Sequence, residues 1–379
     1  MDIQNFVSGE IRKGDNYEFF LPSRINHSWR WDSYHLNKLL EKANLSLGGL
    51  ASYSELIPNI EIYIQLHIKT EAHNSNKIEG TKTTIEEDLM KVEDVSPEKR
   101  DDRIEVQNYI NAMNLGIEKI TVEKFPFSTR LIRDLHFELL KGVRGQNKTP
   151  GEFRKSQNWI GGSSPSNAMY VPPSKEYLDD LLTDFEFFIN NDSLEIPILV
   201  KIALLHYQFE TIHPFLDGNG RIGRLIIPLL LLENNILTKP CFYISNYLEK
   251  NRTRYYDALN RVRTENDLIG WIVFFLEAVI ETSENAKNKF NKVVKLVDEY
   301  REYQFKLKGK PENIAKIFNA LYNDPVLSIS DMIQITGLSR STVSSIVREM
   351  EKKQILYELT NYSRNKLYLL REYFIIFAE

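Results

Sequence analysis

The chain of 379 residues holds a single cysteine, Cys241. An internal disulfide and a cysteine-rich metal site are thereby excluded, and a buried thiol is the expected state of Cys241. Long hydrophobic runs are missing as well. The longest, Leu225 to Leu232, is too short to cross a bilayer and contains Pro228. The N-terminus is polar and acidic, without the basic-then-apolar order of a secretion signal, so a cytoplasmic location with no membrane partner is expected. Charge of one sign is not in excess: 48 basic against 52 acidic side chains leave −4, which excludes a global nucleic-acid or membrane surface. The seven histidines are scattered. His206 and His213 stand seven apart with no acidic ligand at a useful spacing, which argues against a metal hydrolase. No low-complexity tract and no repeat is visible. What remains is a soluble composition with length for two or three domains.

Residues 1 to about 35 read as irregular. Helical periodicity then runs from Trp31 to about Leu66, with breaks expected at Gly48-Gly49 and Pro58, and again over Ile104–Glu123 and Ser128–Leu140. Between Gly151 and Pro173, two β-prone pieces, Asn158-Trp159-Ile160 and Met169-Tyr170-Val171, flank a Gly-Gly-Ser-Ser-Pro-Ser-Asn stretch, a hairpin signal. Helix resumes at Ser174 and dominates to about Tyr303. The last stretch reads helix (Pro311–Leu321), helix (Ser328–Ile335), a turn at Gly337-Leu338-Ser339, helix to about Lys353, then two short strands around Asn361 to Asn365. That is the order of a winged helix-turn-helix.

The densest chemistry lies at His213 to Arg224, which reads HPFLDGNGRIGR. Glycines let backbone N–H groups approach phosphate oxygens without a Cβ in the way. The apolar run that follows reads as a buried helix, whose N-terminal dipole favours an anion at the same place. Arginines in a first turn oppose that dipole, so Arg221 and Arg224 call for an anionic partner. These residue types point to chemistry on a phosphate.

The string HPFLDGNGRIGR resembles the signature of the Fic (filamentation induced by cAMP) domain family, HPFx(D/E)GNGRxxR, at every defined position. The segment around Asn158 to Gly162 resembles that family's target-docking flap, and the apolar helix over Ile196–Phe209 resembles the one entering its motif. The resemblance covers roughly residues 50 to 300. It implies a mainly α fold: a Fic-type helical bundle with a β-hairpin flap, here with a C-terminal winged helix-turn-helix. The expected units are an N-terminal helical region (1–105), the catalytic core (106–305) and the winged helix (311–379).

The implied activity is transfer of AMP from ATP to a hydroxyl side chain of a protein, with Mg²⁺ as cofactor. In that reading His213 is the general base, and Asp217 holds Mg²⁺. Asn219 and the N–H groups of Gly218 and Gly220 hold the α- and β-phosphates, Arg221 the β-phosphate and Arg224 the γ-phosphate. Tyr255 and Tyr256 lie where the family often places its adenine pocket, although an aromatic pair at helical spacing is more often packing. The target is expected to pair with the flap near Ser156 to Ile160, with Trp159 either there or in the core.

Upstream, Ser75-Asn-Lys-Ile-Glu79-Gly80 matches the (S/T)xxxE(G/N) helix of the family's autoinhibited class. Ser75 and Glu79 share one helical face, and Gly80 suits a left-handed helix end. The resemblance implies a salt bridge from Glu79 to Arg224 that occupies the γ-phosphate site. Self-modification and a homodimer stay open. Residues 311–379 carry eight basic and eight acidic side chains, so DNA binding is not favoured over protein docking there, although Arg340, Arg348 and Arg364 leave a focused basic face open. The competing functions are transfer of another nucleotide such as UMP, and a DNA-binding regulator whose core senses nucleotide.

Overall fold

The computed structural model describes residues 3–14, 16–30, 33–142, 147–307, 309–360, 362 and 365–378. The N-terminal stretch expected to be irregular contains a hairpin: β1 (Gly9–Lys13) pairs antiparallel with β2 (Glu18–Pro22). Its Phe20 N–H donates to Val171 O at 3.0 Å, joining the hairpin to the returning arm of the flap.

Helix α1 (Tyr34–Leu56) runs through Gly48-Gly49 without the expected break. Leu36, Ala43, Leu47 and Leu50 bury one stripe of it against a later helix, α11 (Leu268–Lys306). That burial outweighs the ~1 kcal/mol entropic cost of each glycine. Pro58 does end it, and α2 (Ile60–Ile78) follows. Next come α3 (Ile85–Leu89), α4 (Arg100–Thr121) and α5 (Thr129–Leu139). Helix α4 crosses the expected division at 105/106, so the N-terminal region and the core share a helix.

The flap pairs through one bridge, Ile160 with Tyr170, and closes over a 3-10 turn at Pro165–Asn167. Beyond it are α6 (Leu178–Ile189), α7 (Ile198–Ile212) and α8 (Asn219–Glu233). Almost every residue of α7 and α8 is buried, which explains why both read as apolar on all sides rather than as one stripe. They pack on each other, with α6 and α11 against α7 and with α2, α4 and α5 against α8. Then follow α9 (Ser245–Lys250), α10 (Arg252–Glu265) and α11 (Leu268–Lys306). Cys241 is buried, as expected.

The C-terminal unit is a winged helix-turn-helix with two elements more than expected. Helix α12 (Pro311–Asn323) leads into a three-residue strand, β3 (Val326–Ser328). Helices α13 (Ile329–Thr336) and α14 (Arg340–Lys352) are joined by left-handed Gly337 (φ 70°) and the N-cap Ser339. Strands β4 (Leu356–Glu358) and β5 (Leu367–Leu370) complete a sheet in the order β3-β5-β4, and α15 (Arg371–Ala378) ends the chain. Arg364 lies outside the described residues. This unit sits directly on α2, with the Tyr63 ring 5.8 Å from Tyr322 and 6.3 Å from Tyr373. Lys69 and Asp324 add an ion pair at 3.2 Å. Among the described residues, no helix is long and apolar enough to cross a membrane.

Candidate active site

Helix α7 ends at His213, whose left-handed backbone (φ 49°, ψ 59°) turns the chain sharply into Pro214. The His213 ring contacts the Glu210 carbonyl oxygen through Nδ1 at 3.3 Å. A carbonyl only accepts, so Nδ1 bears the hydrogen and Nε2 keeps its lone pair. Burial, with the nearby Arg263 guanidinium, lowers the His213 pKa to about 4, so the ring is neutral near pH 7.

The loop from His213 to Gly218 is fastened from several sides. Arg154 Nε donates to the His213 carbonyl at 3.0 Å. Asn158 Nδ2 donates to the same oxygen at 3.1 Å and to Phe215 O at 2.8 Å. Asn219 accepts from Phe215 N–H and donates to Phe215 O, each at 2.8 Å, so its amide is turned largely on the loop itself. His136 accepts the Gly151 N–H at Nδ1 (2.9 Å), which leaves Nε2–H to donate to Asp217 O (3.0 Å). Its ring stacks on Phe215 with centroids 3.7 Å apart.

Gly218 (φ 78°) starts α8, and its N–H donates to Asp217 Oδ1 at 2.6 Å. The Asp217 side chain is 45% exposed and also lies 3.4 Å from Arg221. Arg221 is buried; its Nη1 donates to Glu105 at 3.1 Å and to Asn76 at 3.4 Å. Arg224, only 1% exposed, reaches α2: Nε donates to Ser75 Oγ and Nη2 to Ser75 O, both at 2.9 Å. The same Nη2 meets Glu79 Oε1 at 2.7 Å. Desolvation works against the Glu79 carboxylate, but Arg224, with Arg221 behind it, holds its pKa below the usual carboxylate value. The four-residue spacing thus brings Ser75 and Glu79 onto one guanidinium.

The two tyrosines part company. Tyr255 is buried, its hydroxyl donating to His206 Nε2 at 2.8 Å, because His206 Nδ1–H is given to Gly223 O. Tyr256 is 42% exposed and lies on the side of Glu79 and Arg224. Trp159 is 39% exposed, at the flap edge rather than in the core.

The sequence pattern of the Fic/DOC family matches residues 126–231, and that of the Fic/DOC family N-terminal region matches 37–118. This chain carries a Fic/DOC-family domain. A winged helix-turn-helix DNA-binding pattern matches residues 312–357. The protein adenylyltransferase Fic of Drosophila virilis is 31% identical over 183 residues, 47% of this chain and 34% of that protein. Its Drosophila melanogaster counterpart is 30% identical over the same shares. The chain thus spans about a third of the length of the curated relatives it matches.

Among solved structures, a Fic family protein from Desulfovibrio desulfuricans G20 superposes with a TM-score of 0.55 at 20% identity, covering 91% of this chain and 98% of that one. A Fic domain containing signaling protein from Bacteroides thetaiotaomicron gives 0.54 at 20% identity, covering 66% and 95%.

Four residues of this Fic core escaped the sequence reading. His136, Arg154 and Asn158 each hold carbonyl oxygens of the motif loop, and a carbonyl leaves no trace in sequence. The fourth is Glu210, whose buried carboxyl has an oxygen without a hydrogen-bond partner among the described residues. Its position three before His213 was the available signal.

Proposed function

We propose that this chain transfers AMP from ATP to a hydroxyl side chain of a target protein, and that its own Glu79 restrains the transfer. The hydroxyl oxygen bonds to the α-phosphorus, the bond to the α–β bridging oxygen breaks, and pyrophosphate leaves with that electron pair. His213 Nε2 takes the hydroxyl proton, since Nδ1–H is committed to Glu210 O. The first-turn N–H groups of α8, including Gly220, have no partner within the helix and face the incoming phosphates. Asn219 acts chiefly by holding the loop in shape, and Arg221 and Arg224 supply charge for the β- and γ-phosphates.

Mg²⁺ fits at Asp217, a half-exposed hard oxygen donor beside the phosphate loop, because this ion is commonly held by one carboxylate plus substrate phosphates. When bound it supplies charge neutralisation on the phosphate oxygens. Tyr256, exposed next to Arg224, is the better placed of the two tyrosines for the adenine, with Tyr255 behind it as packing. The exposed flap edge at Trp159, next to the Ile160–Tyr170 bridge, offers main-chain pairing to an extended target segment.

The observation that carries this reading is the set of contacts on Arg224. The guanidinium that this reading assigns to the terminal phosphate is held instead by Ser75 of α2 and by Glu79 at its C-terminal end. The test is a labelling assay with ATP labelled at the α- or γ-phosphate, on wild type, Glu79→Gly and His213→Ala. Label from the α-position only, raised by the first substitution and abolished by the second, supports the reading; label only from the γ-position refutes it.

The winged-helix match favours a second reading, a DNA-binding regulator with a nucleotide-sensing core. Arg340, Ser341, Thr342, Ser345 and Arg348 form the exposed face of α14. Nucleotide binding without label in any variant, together with salt-sensitive DNA binding, would favour it.

A further inference from the structure

An open groove of about 640 Å³ lies between the N-terminal hairpin, the returning arm of the flap and α10. Phe20 of β2 and Val171 of the arm line it, already joined through the main chain, and Arg263 of α10 lines it from the other side.

The half-buried Arg263 guanidinium is held in place without being neutralised. Its Nε donates to Thr211 Oγ1 at 3.3 Å, and its Cζ lies 3.9 Å from the centroid of the Tyr170 ring. At the backbone end, Arg263 O accepts from Ser8 Oγ at 3.4 Å. Nη1 and Nη2 have no hydrogen-bond partner among the described residues, and both stay open to solvent. Glu210 feels the Arg263 charge but forms no ion pair with it. Glu18, which also lines the groove, stands opposite Lys13 in the hairpin register, so those two charges offset one another. A stacked ring covers one face of a guanidinium and leaves its N–H edge, whose fork matches a carboxylate. With the stem and Nε already pinned, little side-chain freedom is left to lose on binding.

The flap brings that edge beside the base. Ile160 pairs with Tyr170, so Asn158, Ile160 and Tyr170 point to one face. On that face Asn158 Nδ2 donates to His213 O at 3.1 Å, and the Tyr170 hydroxyl donates to Thr211 O at 2.7 Å. Arg263, against the Tyr170 ring, thus lies under the same face as His213, and its charge helps to keep the His213 ring neutral. A target strand added at the Trp159 edge runs two strand spacings, ~10 Å, from Tyr170. A glutamate side chain and the guanidinium span that distance between them.

We propose that Arg263 selects target proteins with a glutamate or aspartate within about three residues of the acceptor hydroxyl, by bonding that carboxylate under the flap. Transfer to the hydroxyl rests on the transferase reading; recognition of the acid does not.

Short synthetic peptides test this on the full chain. Each carries a central tyrosine, threonine or serine and, at one of the three positions on either side, glutamate or glutamine. Fluorescence anisotropy with wild type reads recognition. At one position the glutamate peptide binds about tenfold tighter than its glutamine twin, the factor of one charge-assisted bond at a half-open site. Arg263→Gln brings that ratio to about one, and Arg263→Lys, which keeps the charge but not the fork, retains part of it. A merely structural loss would weaken both twins alike and leave the ratio. Equal binding of the twins at every position, failure of every peptide to bind, or a preference that survives Arg263→Gln overturns the assignment. α-Labelling of the same peptides by Glu79→Gly then reads transfer, where the preference enters through KM and the twins share one kcat. Labelling without a preference for glutamate overturns the selection and leaves the transferase reading. A preference in binding with no label on any peptide refutes that reading and leaves the acid site.

Discussion

The carboxylate of Glu79 lies where a side chain on residue 220 would have to be. A Cβ placed on Gly220 comes within 2.5 Å of Glu79 Oε1 and 3.0 Å of Arg224 Nη1. The second glycine of GNG therefore admits the Glu79 carboxylate beside Arg224. In the proposed function one backbone position then serves both the phosphate site and its restraint.

Replacing Glu79 by glycine is expected to raise AMP transfer about tenfold, since ~1.4 kcal/mol is a factor of ten. Glu79 is partly exposed, which puts its charge-assisted bond at the low end of the usual range. Because its pKa is depressed, the contact is present above the ordinary carboxylate range and is lost only as pH falls through the lowered value. The ratio of variant to wild-type rates should thus stay constant between about pH 6 and 9. A ratio that collapses towards one on mild acidification would contradict the assignment.

His213, with its pKa lowered to about 4, stays neutral well below the ordinary histidine range. The labelling rate of Glu79→Gly should be flat from about pH 8 to 5 and fall only on approach to 4. His213→Ala should lower it by about 10²- to 10⁴-fold while nucleotide binding, followed by calorimetry, persists. A rate that halves near pH 6.5 would assign the base elsewhere.

Glu210 should make stability depend on pH. Desolvation, reinforced by Glu79 and opposed by Arg224 and Arg263, raises its pKa to about 7. The folded state therefore holds a proton that the unfolded state releases near 4.5, so stability falls as pH rises between those values. Relative to Glu210→Gln, wild type should lose up to about 3 kcal/mol across that window. Urea unfolding of both proteins at pH 5 and pH 8 measures the difference, and parallel pH profiles would rule the effect out.

Gly223 is a matching case of restricted space. A Cβ there meets Glu210 Oε1 at 2.2 Å and Phe209 at 3.3 Å. Gly223→Ala should destabilise the protein by about 1–3 kcal/mol through overpacking. Adding Glu210→Ala should recover part of the loss, read by the same denaturant titration. Simple additivity of the two changes would show that they do not compete for one space.

Much of the site was legible because its residues are contiguous. HPFLDGNGRIGR places the histidine, the aspartate, the glycines and the arginines in one turn and the start of one helix, and SxxxEG needs only helical periodicity to align Ser75 with Glu79. What escaped was the scaffolding that acts on backbone atoms. Arg154 grips the His213 carbonyl from 59 residues away, and nothing in its own neighbourhood announces that. The N-terminal hairpin escaped because β2 buries consecutive Phe19 and Phe20 instead of alternating faces. Strand β3 is three residues long, too short for a period to register. Continuity through Gly48-Gly49 came from α1 lying along α11, a tertiary effect that local breaker rules do not contain.

The mounting of the winged helix on α2 also sets an order of events during synthesis. Tyr63 leaves the ribosome roughly 300 residues before its partner Tyr373. The helix leading to Glu79 is thus made well before the segments that complete its packing. Loss of the winged helix would strip α2 of its Tyr322 and Tyr373 neighbours, so the footing of the Glu79–Arg224 contact is completed by residues about 250 to 300 positions further along the chain.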